Sequence, residues 1–177
     1  MRVHTPFNLD VIKDLRAGMR IQLTGTLYTA RDAAHLKLVE LIRENKDLPF
    51  DPQGAVIYYV GPTPTPPGKI IGSAGPTTSY RMDMFTPDML RAGVKGFIGK
   101  GARSDGVKPL FKTFKAVYCA AIGGAGALLS KSIKKCGIIA FPELGTEAVR
   151  RLEVYNFPVI VVNDIYGSDA YNNKLKT

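Results

Sequence analysis

The chain has no tryptophan, only two cysteines and only two histidines among its 177 residues. Cys119 and Cys136 sit in apolar surroundings (AVYCAAI and KKCGIIAF), and neither belongs to a CxxC pair. Such thiols read as buried, reduced strand residues, and two fall short of the four thiolates that a [4Fe–4S] cluster usually takes. His4 and His35 lie far apart in sequence, so no metal-ligand set is visible. Acidic residues are also scarce, 15 against 24 basic ones, for a net charge of +9. Three kinds of partner would suit that balance: nucleic acid, an anionic small substrate or an acidic partner subunit. The first lacks support, because there is no long Lys/Arg run, no zinc-ligand set and no RNP-like aromatic pattern. Long apolar runs are missing too. Gly, Lys or Pro breaks each one well short of the ~18 residues that suggest a membrane span. The start, MRVHTPFNLDVIKDLRAG, has no apolar stretch of the signal-peptide kind. A cytoplasmic location is the default expectation.

What is present reads as one globular domain over residues 1–177. Hydrophobic residues make up 45% and charged residues 22%, and a chain of this length buries a core without staples. The 18 glycines and 12 prolines fall at discrete points and mark turns. Strands are expected near residues 4–6, 20–28, 55–60, 69–73, 96–99, 116–122, 136–141 and 158–163. Helices are expected near 11–15, 32–45, 86–92, 105–114 and 127–133, the second capped by Asp32. Residues 61–68 (GPTPTPPG) can be neither helix nor central strand. Residues 147–154 fit helix or strand, and the polar tail 167–177 is expected to fray. Helices and strands alternate only loosely, which favours a layered α/β sheet over a strict doubly wound fold.

Four segments could carry chemistry. Residues 75–83 (GPTTSYRMD) place three hydroxyls after a Gly-Pro turn, with an arginine close by. Glycine lets the backbone approach a ligand, and Arg81 offers a planar fork matched to a carboxylate. A threonine hydroxyl beside a guanidinium could also relay a proton, since a nearby cation favours its ionised form. The plain alternative is an ordinary hydroxyl-rich turn with a solvated arginine. Lys100 stands between Gly99 and Gly101 at a strand end, where it could reach an anion, but no P-loop spacing surrounds it. Arg31 lies at a strand-to-helix junction, a usual ligand-binding position, with a surface Arg31–Asp32 pair as the alternative. Residues 121–127 (AIGGAGA) resemble a dinucleotide turn without meeting GxGxxG, so tight strand–helix packing is the better reading.

Taken together, TARDAAH, GPTTSYRMD, GKG, AAIGGAGALL, FPELGTEAV and FPVIVVND resemble, in this order, segments of the β subunit of class I fumarate hydratase. The similar β subunit of L-tartrate dehydratase shares the pattern. The resemblance covers residues 4–164. It implies a single swivelling β/β/α domain, of the kind that forms the C-terminal part of such enzymes. It implies an iron–sulfur hydro-lyase of the tricarboxylic acid cycle that interconverts fumarate and (S)-malate. The [4Fe–4S] cluster would sit on a separate α subunit, in a hetero-oligomer, and not on this chain. By motif, Arg31 would clamp one substrate carboxylate and Lys100 the other. Thr77 would be the base at the carbon that loses its proton, with Arg81 tuning it. Thr78 and Ser79 would contact substrate, and either could replace Thr77 as base. A reading of a different class remains, a stand-alone basic module for anions or nucleic acid, which predicts salt-sensitive binding by the isolated chain.

Overall fold

The computed structural model describes residues 1–121 and 125–172. Seven strands form one sheet: β1 (Arg2–His4), β2 (Arg20–Thr29), β3 (Val56–Tyr58), β4 (Gly96–Gly99), β5 (Val117–Ala120), β6 (Ile133–Ala140) and β7 (Val149–Asn163). Five α-helices accompany them: α1 (Leu9–Ile12), α2 (Asp32–Arg43), α3 (Thr86–Ala92), α4 (Lys108–Thr113) and α5 (Gly126–Ser130). The sheet order is β1-β2-β3-β4-β5-β7-β6. Strands β2 to β5 run parallel, and β7 runs antiparallel to both β5 and β2. Because β7 borders both, the pairings β2-β3-β4-β5-β7 return to their start, while β1 and β6 extend the rim.

Strands β3, β4 and β5 bury both faces, so adjacent side chains enter different cores. Val56 and Tyr58 join one apolar cluster with Leu23, Leu27, Leu152 and Phe157. Ile57 and Tyr59 join a second one with Leu38 of α2, Met89 of α3 and Phe111 of α4. The same alternation splits Phe97 from Ile98 and Tyr118 from Cys119.

Residues 147–154, which fit helix or strand by periodicity, are mostly strand: β7 starts at Val149 and runs 15 residues. Between Leu23↔Phe157 and Gly25↔Val154, β7 carries one residue more than β2. Asn156 takes a left-handed φ of +53° there, which marks a β-bulge. The bulge re-phases the buried side, from Leu152 and Val154 to Phe157, Val159 and Val161, and so blurs the two-residue period. Pro158 is tolerated because it faces the gap between the part of β7 paired with β6 and the part paired with β5.

Three expectations need correction. Residues 69–73 form no strand. The Thr63 N–H donates to the Ser73 carbonyl and the Ser73 N–H to Thr63 Oγ1, which closes the proline-rich loop on itself. The first strand ends at His4, because Pro6 has no N–H to extend it. Asp32 does not cap α2: it is the helix's first residue, the cap position is Arg31, and no side chain bonds there. The tail is held as far as Asn172 by a bridge between Asn163 and Asp169. Residues 173–177 lie outside the described residues.

Candidate active site

Strands β2, β3 and β4 are parallel, so their carboxyl ends share one edge of the sheet, the usual ligand edge in such folds. Arg31 follows β2 and Lys100 follows β4. Residues 77–79 wedge between the ends of β3 and β4. The Thr77 N–H donates to the Tyr59 carbonyl at 2.8 Å, Lys100 N–H to Thr77 O at 3.1 Å, and Ser79 N–H to Lys100 O at 3.0 Å. Thr78 forms a parallel bridge with Lys100. Thr77 and Lys100 are therefore fixed to each other through the backbone. The Lys100 side chain is exposed, with no ion pair among the described residues.

The chain then makes a 3₁₀ turn, Ser79–Met82, which turns Arg81 back. Arg81 Nη2 donates to Thr77 Oγ1 at 2.9 Å and to Asp32 Oδ2 at 3.3 Å, and its Nε lies 3.2 Å from Asp32 Oδ1. Carboxylate, guanidinium and hydroxyl stand in a row. Asp32 holds the fork with both oxygens, and the fork in turn holds the hydroxyl oxygen. The threonine oxygen accepts a charge-assisted hydrogen bond, and that favours its ionised form.

Arg31 lies beside this row. Its Nη2 is 3.7 Å from Glu147 Oε1 and its Nε is 4.0 Å from Asp32 Oδ2. Glu147 Oε2 also accepts the Ala33 N–H at 2.8 Å, at the start of α2. The Arg31 Nε is buried without a hydrogen-bond partner, while the side chain as a whole is 28% exposed and its carboxylate contacts are long, so the rest of the guanidinium keeps donor capacity for a ligand. Gly61 makes room for it, since a Cβ there would lie 2.8 Å from Arg31 Nη1.

Of the residues singled out in the sequence, the structure brings Arg31, Thr77 and Arg81 together and ties Thr78 and Lys100 to them by backbone. Ser79 is different. It is fully buried, and its Oγ lies 2.9 Å from the Tyr118 hydroxyl, facing inward. A substrate contact by Ser79 does not fit this placement. Gly99 is required by the same packing, because a Cβ there would lie 1.9 Å from Ser79 Oγ and 2.8 Å from the Tyr59 ring. Gly99→Ala is expected to cost about 1–3 kcal/mol of stability through overpacking, which denaturant unfolding would measure.

Sequence reasoning did not single out Asp32 as a partner of Arg81, Glu147, or the buried pair of Asp83 and Arg103. Asp32 has a visible signal in retrospect, an acid at the start of the helix that follows Arg31. Arg103 has none, since an arginine in a loop reads as solvated.

His35, one turn along α2 from Arg31, is buried against Tyr59 and Phe85. Its Nδ1 lies 2.9 Å from the Arg31 carbonyl, which can only accept, so Nδ1 carries the proton and Nε2 is left unpartnered. Burial pushes its pKa down from 6.5 to about 4, so the folded protein keeps it neutral. Between those values the unfolded chain binds a proton that the folded chain refuses. Stability present above pH 6.5 is therefore lost as pH falls toward 4, on the order of 1 kcal/mol per pH unit. His35→Leu is expected to flatten that part of the stability profile, measured by denaturant titration across it.

No resident metal centre fits the described residues: no group of three or more His, Cys, Asp or Glu side chains could hold an ion among them. Cys119 is buried on β5, and burial pushes its thiol up to about 12; Cys136 lies on β6. These are poor thiolate donors for a cluster. Of AAIGGAGALL, residues 122–124 lie outside the described residues. No described helix is long and apolar enough to cross a membrane.

Fold and site together define a mixed α/β domain that gathers cations and hydroxyls at the carboxyl edge of its parallel strands. The chain belongs to the fumarase C-terminus family, whose model matches residues 2–174. It is 43% identical over 161 residues to fumarate hydratase 2 of Leishmania major, covering 89% of this chain and 28% of that protein. It is 42% identical over 155 residues to the anaerobic class I fumarate hydratase of Escherichia coli strain K12, covering 86% of this chain and 28% of that protein. It is 34% identical over 178 residues to the L(+)-tartrate dehydratase subunit beta of the same strain, covering 97% of this chain and 87% of that subunit. The chain thus spans under a third of the fumarate hydratases it matches but most of the β subunit's length.

Proposed function

We propose that this chain is the β half of an iron–sulfur hydro-lyase that reversibly hydrates fumarate to (S)-malate. The observation that carries the reading is the Asp32–Arg81–Thr77 row, set between Arg31 and Lys100. A C4 dicarboxylate is a dianion and needs two cationic anchors. Arg31 binds one carboxylate with the partly exposed end of its guanidinium, and Lys100, free of ion pairs among the described residues, binds the other. Thr77 removes a proton from the methylene carbon of malate as the hydroxyl leaves the neighbouring carbon, and returns it in the hydration direction. A hydroxyl is a weak base unless activated, and Arg81 activates it. The nearby guanidinium groups also favour the carbanion-like charge that develops. Thr78 lies half-buried beside Lys100 and contacts substrate; Ser79 instead supports the segment from below through Tyr118.

The [4Fe–4S] cluster, held by an α subunit and not by this chain, would supply a Lewis acid for the hydroxyl. The two-cored sheet, with α2, α3 and α4 packed on the second core and only the short α1 and α5 on the first, supports a single β/β/α swivelling domain over residues 1–177, working in a cytoplasmic hetero-oligomer of the tricarboxylic acid cycle. A second reading, the β subunit of L-tartrate dehydratase, is favoured by the 87% coverage of that subunit's length. Assay of the chain co-purified with its iron–sulfur partner, against (S)-malate and tartrate side by side, separates them. Faster turnover of malate is expected. Faster turnover of tartrate replaces the first reading with the second, and turnover of neither sinks both. Salt-sensitive nucleic-acid binding by the chain would then favour the basic-module reading.

A further inference from the structure

The Asp83–Arg103 pair sits beneath the site and touches no part of it that faces solvent. Arg103 is buried, with a fully covered side chain. Its Nε donates to Asp83 Oδ1, its Nη2 to Thr86 Oγ1, and its Nη1 reaches the Tyr59 hydroxyl at 3.3 Å. The rings of Tyr59, Phe97, Phe111 and Tyr118 surround it at 5.0–5.8 Å. Asp83 Oδ2 accepts the Ser104 N–H at 2.7 Å. Several of these partners belong to the frame of the site. Asp83 follows Arg81 by two residues, and Arg103 follows Lys100 by three. Tyr59 is the residue whose carbonyl holds the Thr77 N–H. Tyr118 touches both Ser79 and the Gly101 carbonyl.

Burying an ion pair of this kind carries a desolvation cost, and apolar residues of similar volume often stabilise as well or better. Stability alone therefore gives little reason for it. Its geometry does, because a planar fork fixes the angle between two loops as well as their distance. We propose that Arg103 is a positioning residue, a buried clamp that through Asp83 sets the Lys100 loop against the Thr77–Arg81 segment. The proposal rests on the hydro-lyase reading for its substrate, while the clamp itself is a property of this chain. Small misplacements of reacting groups cost rate steeply, about 10²-fold for an ångström.

The test is Arg103→Lys in the chain assembled with its iron–sulfur partner. The variant keeps the charge and loses the fork. The expected result is a kcat for malate lower by about 10²-fold. Hydrogen exchange should quicken at the amides of Thr77, Ser79 and Lys100, while the amides of α2 and β7 exchange as in the wild type. Wild-type exchange at those three amides overturns the clamp. So does acceleration spread through the whole chain, which marks general loosening. Should the lysine variant not fold, the paired swap Asp83→Leu with Arg103→Met replaces the ions by apolar bulk. It is expected to fold, yet exchange fast at the same three amides, and protection equal to the wild type there overturns the proposal. The exchange readout needs no substrate. A wild-type assembly that turns over neither malate nor tartrate therefore sinks the hydro-lyase reading and leaves the clamp to be decided by exchange.

Discussion

Arg81→Ala is expected to lower malate turnover by about 10²–10³-fold, the usual cost of removing one charge-stabilising donor from an active site. Two effects add. The Thr77 hydroxyl loses the guanidinium that holds it at 2.9 Å, and Asp32 keeps only the more distant Arg31, at 4.0 Å, beside an anionic substrate. Stability should hardly move. The side chains of Arg81 and Asp32 are 40% and 42% exposed, and ion pairs of that kind contribute about 0–1 kcal/mol. Arg81→Lys should fall between, since an ammonium cannot bridge carboxylate and hydroxyl as a fork does. Steady-state kinetics on the assembled enzyme, with a thermal melt of each variant, checks both halves. Wild-type turnover in Arg81→Ala would remove Thr77 and Arg81 from the chemistry.

Arg103→Met should do the reverse to the fold. It leaves the Asp83 carboxylate, 12% exposed, without its cation, and breaking one side of a buried pair costs about 3–5 kcal/mol. Thr86 and Tyr59 lose a donor as well. Denaturant unfolding measures the loss, and a shift below 1 kcal/mol would contradict the burial argument. The contrast between the two arginines is instructive. One is half-exposed and dispensable for folding. The other is buried and invisible to substrate.

Much of this was legible in the sequence because it is local. The alternation over 20–28, the apolar run over 55–60 and Pro87 near the start of a helix are each decided by neighbours in the chain, and β2, β3 and α3 follow. Arg31, Thr77 and Arg81 were also legible, since each lies in a short motif at or near a strand end. What was hidden is non-local. The closure of β7 onto both β5 and β2 joins distant segments, and the bulge at Asn156 breaks the period that would announce a long strand. Asp32 passed for a helix cap because its real partner is 49 residues away. Ser79 passed for a substrate contact because nothing local says that Gly99 and Tyr118 enclose it. Arg103 looks like a surface loop arginine until four rings surround it, from β4, β5, α4 and the residue that follows β3.

The central claim is that these residues form half of a site. It is tested most directly by measuring fumarate hydration with this chain alone, with its iron–sulfur partner alone and with the two mixed. Activity that appears only in the mixture, and fails when Arg81→Ala replaces the wild-type chain, is the predicted result. Full activity from the partner alone, or a mixture indifferent to Arg81, would contradict it.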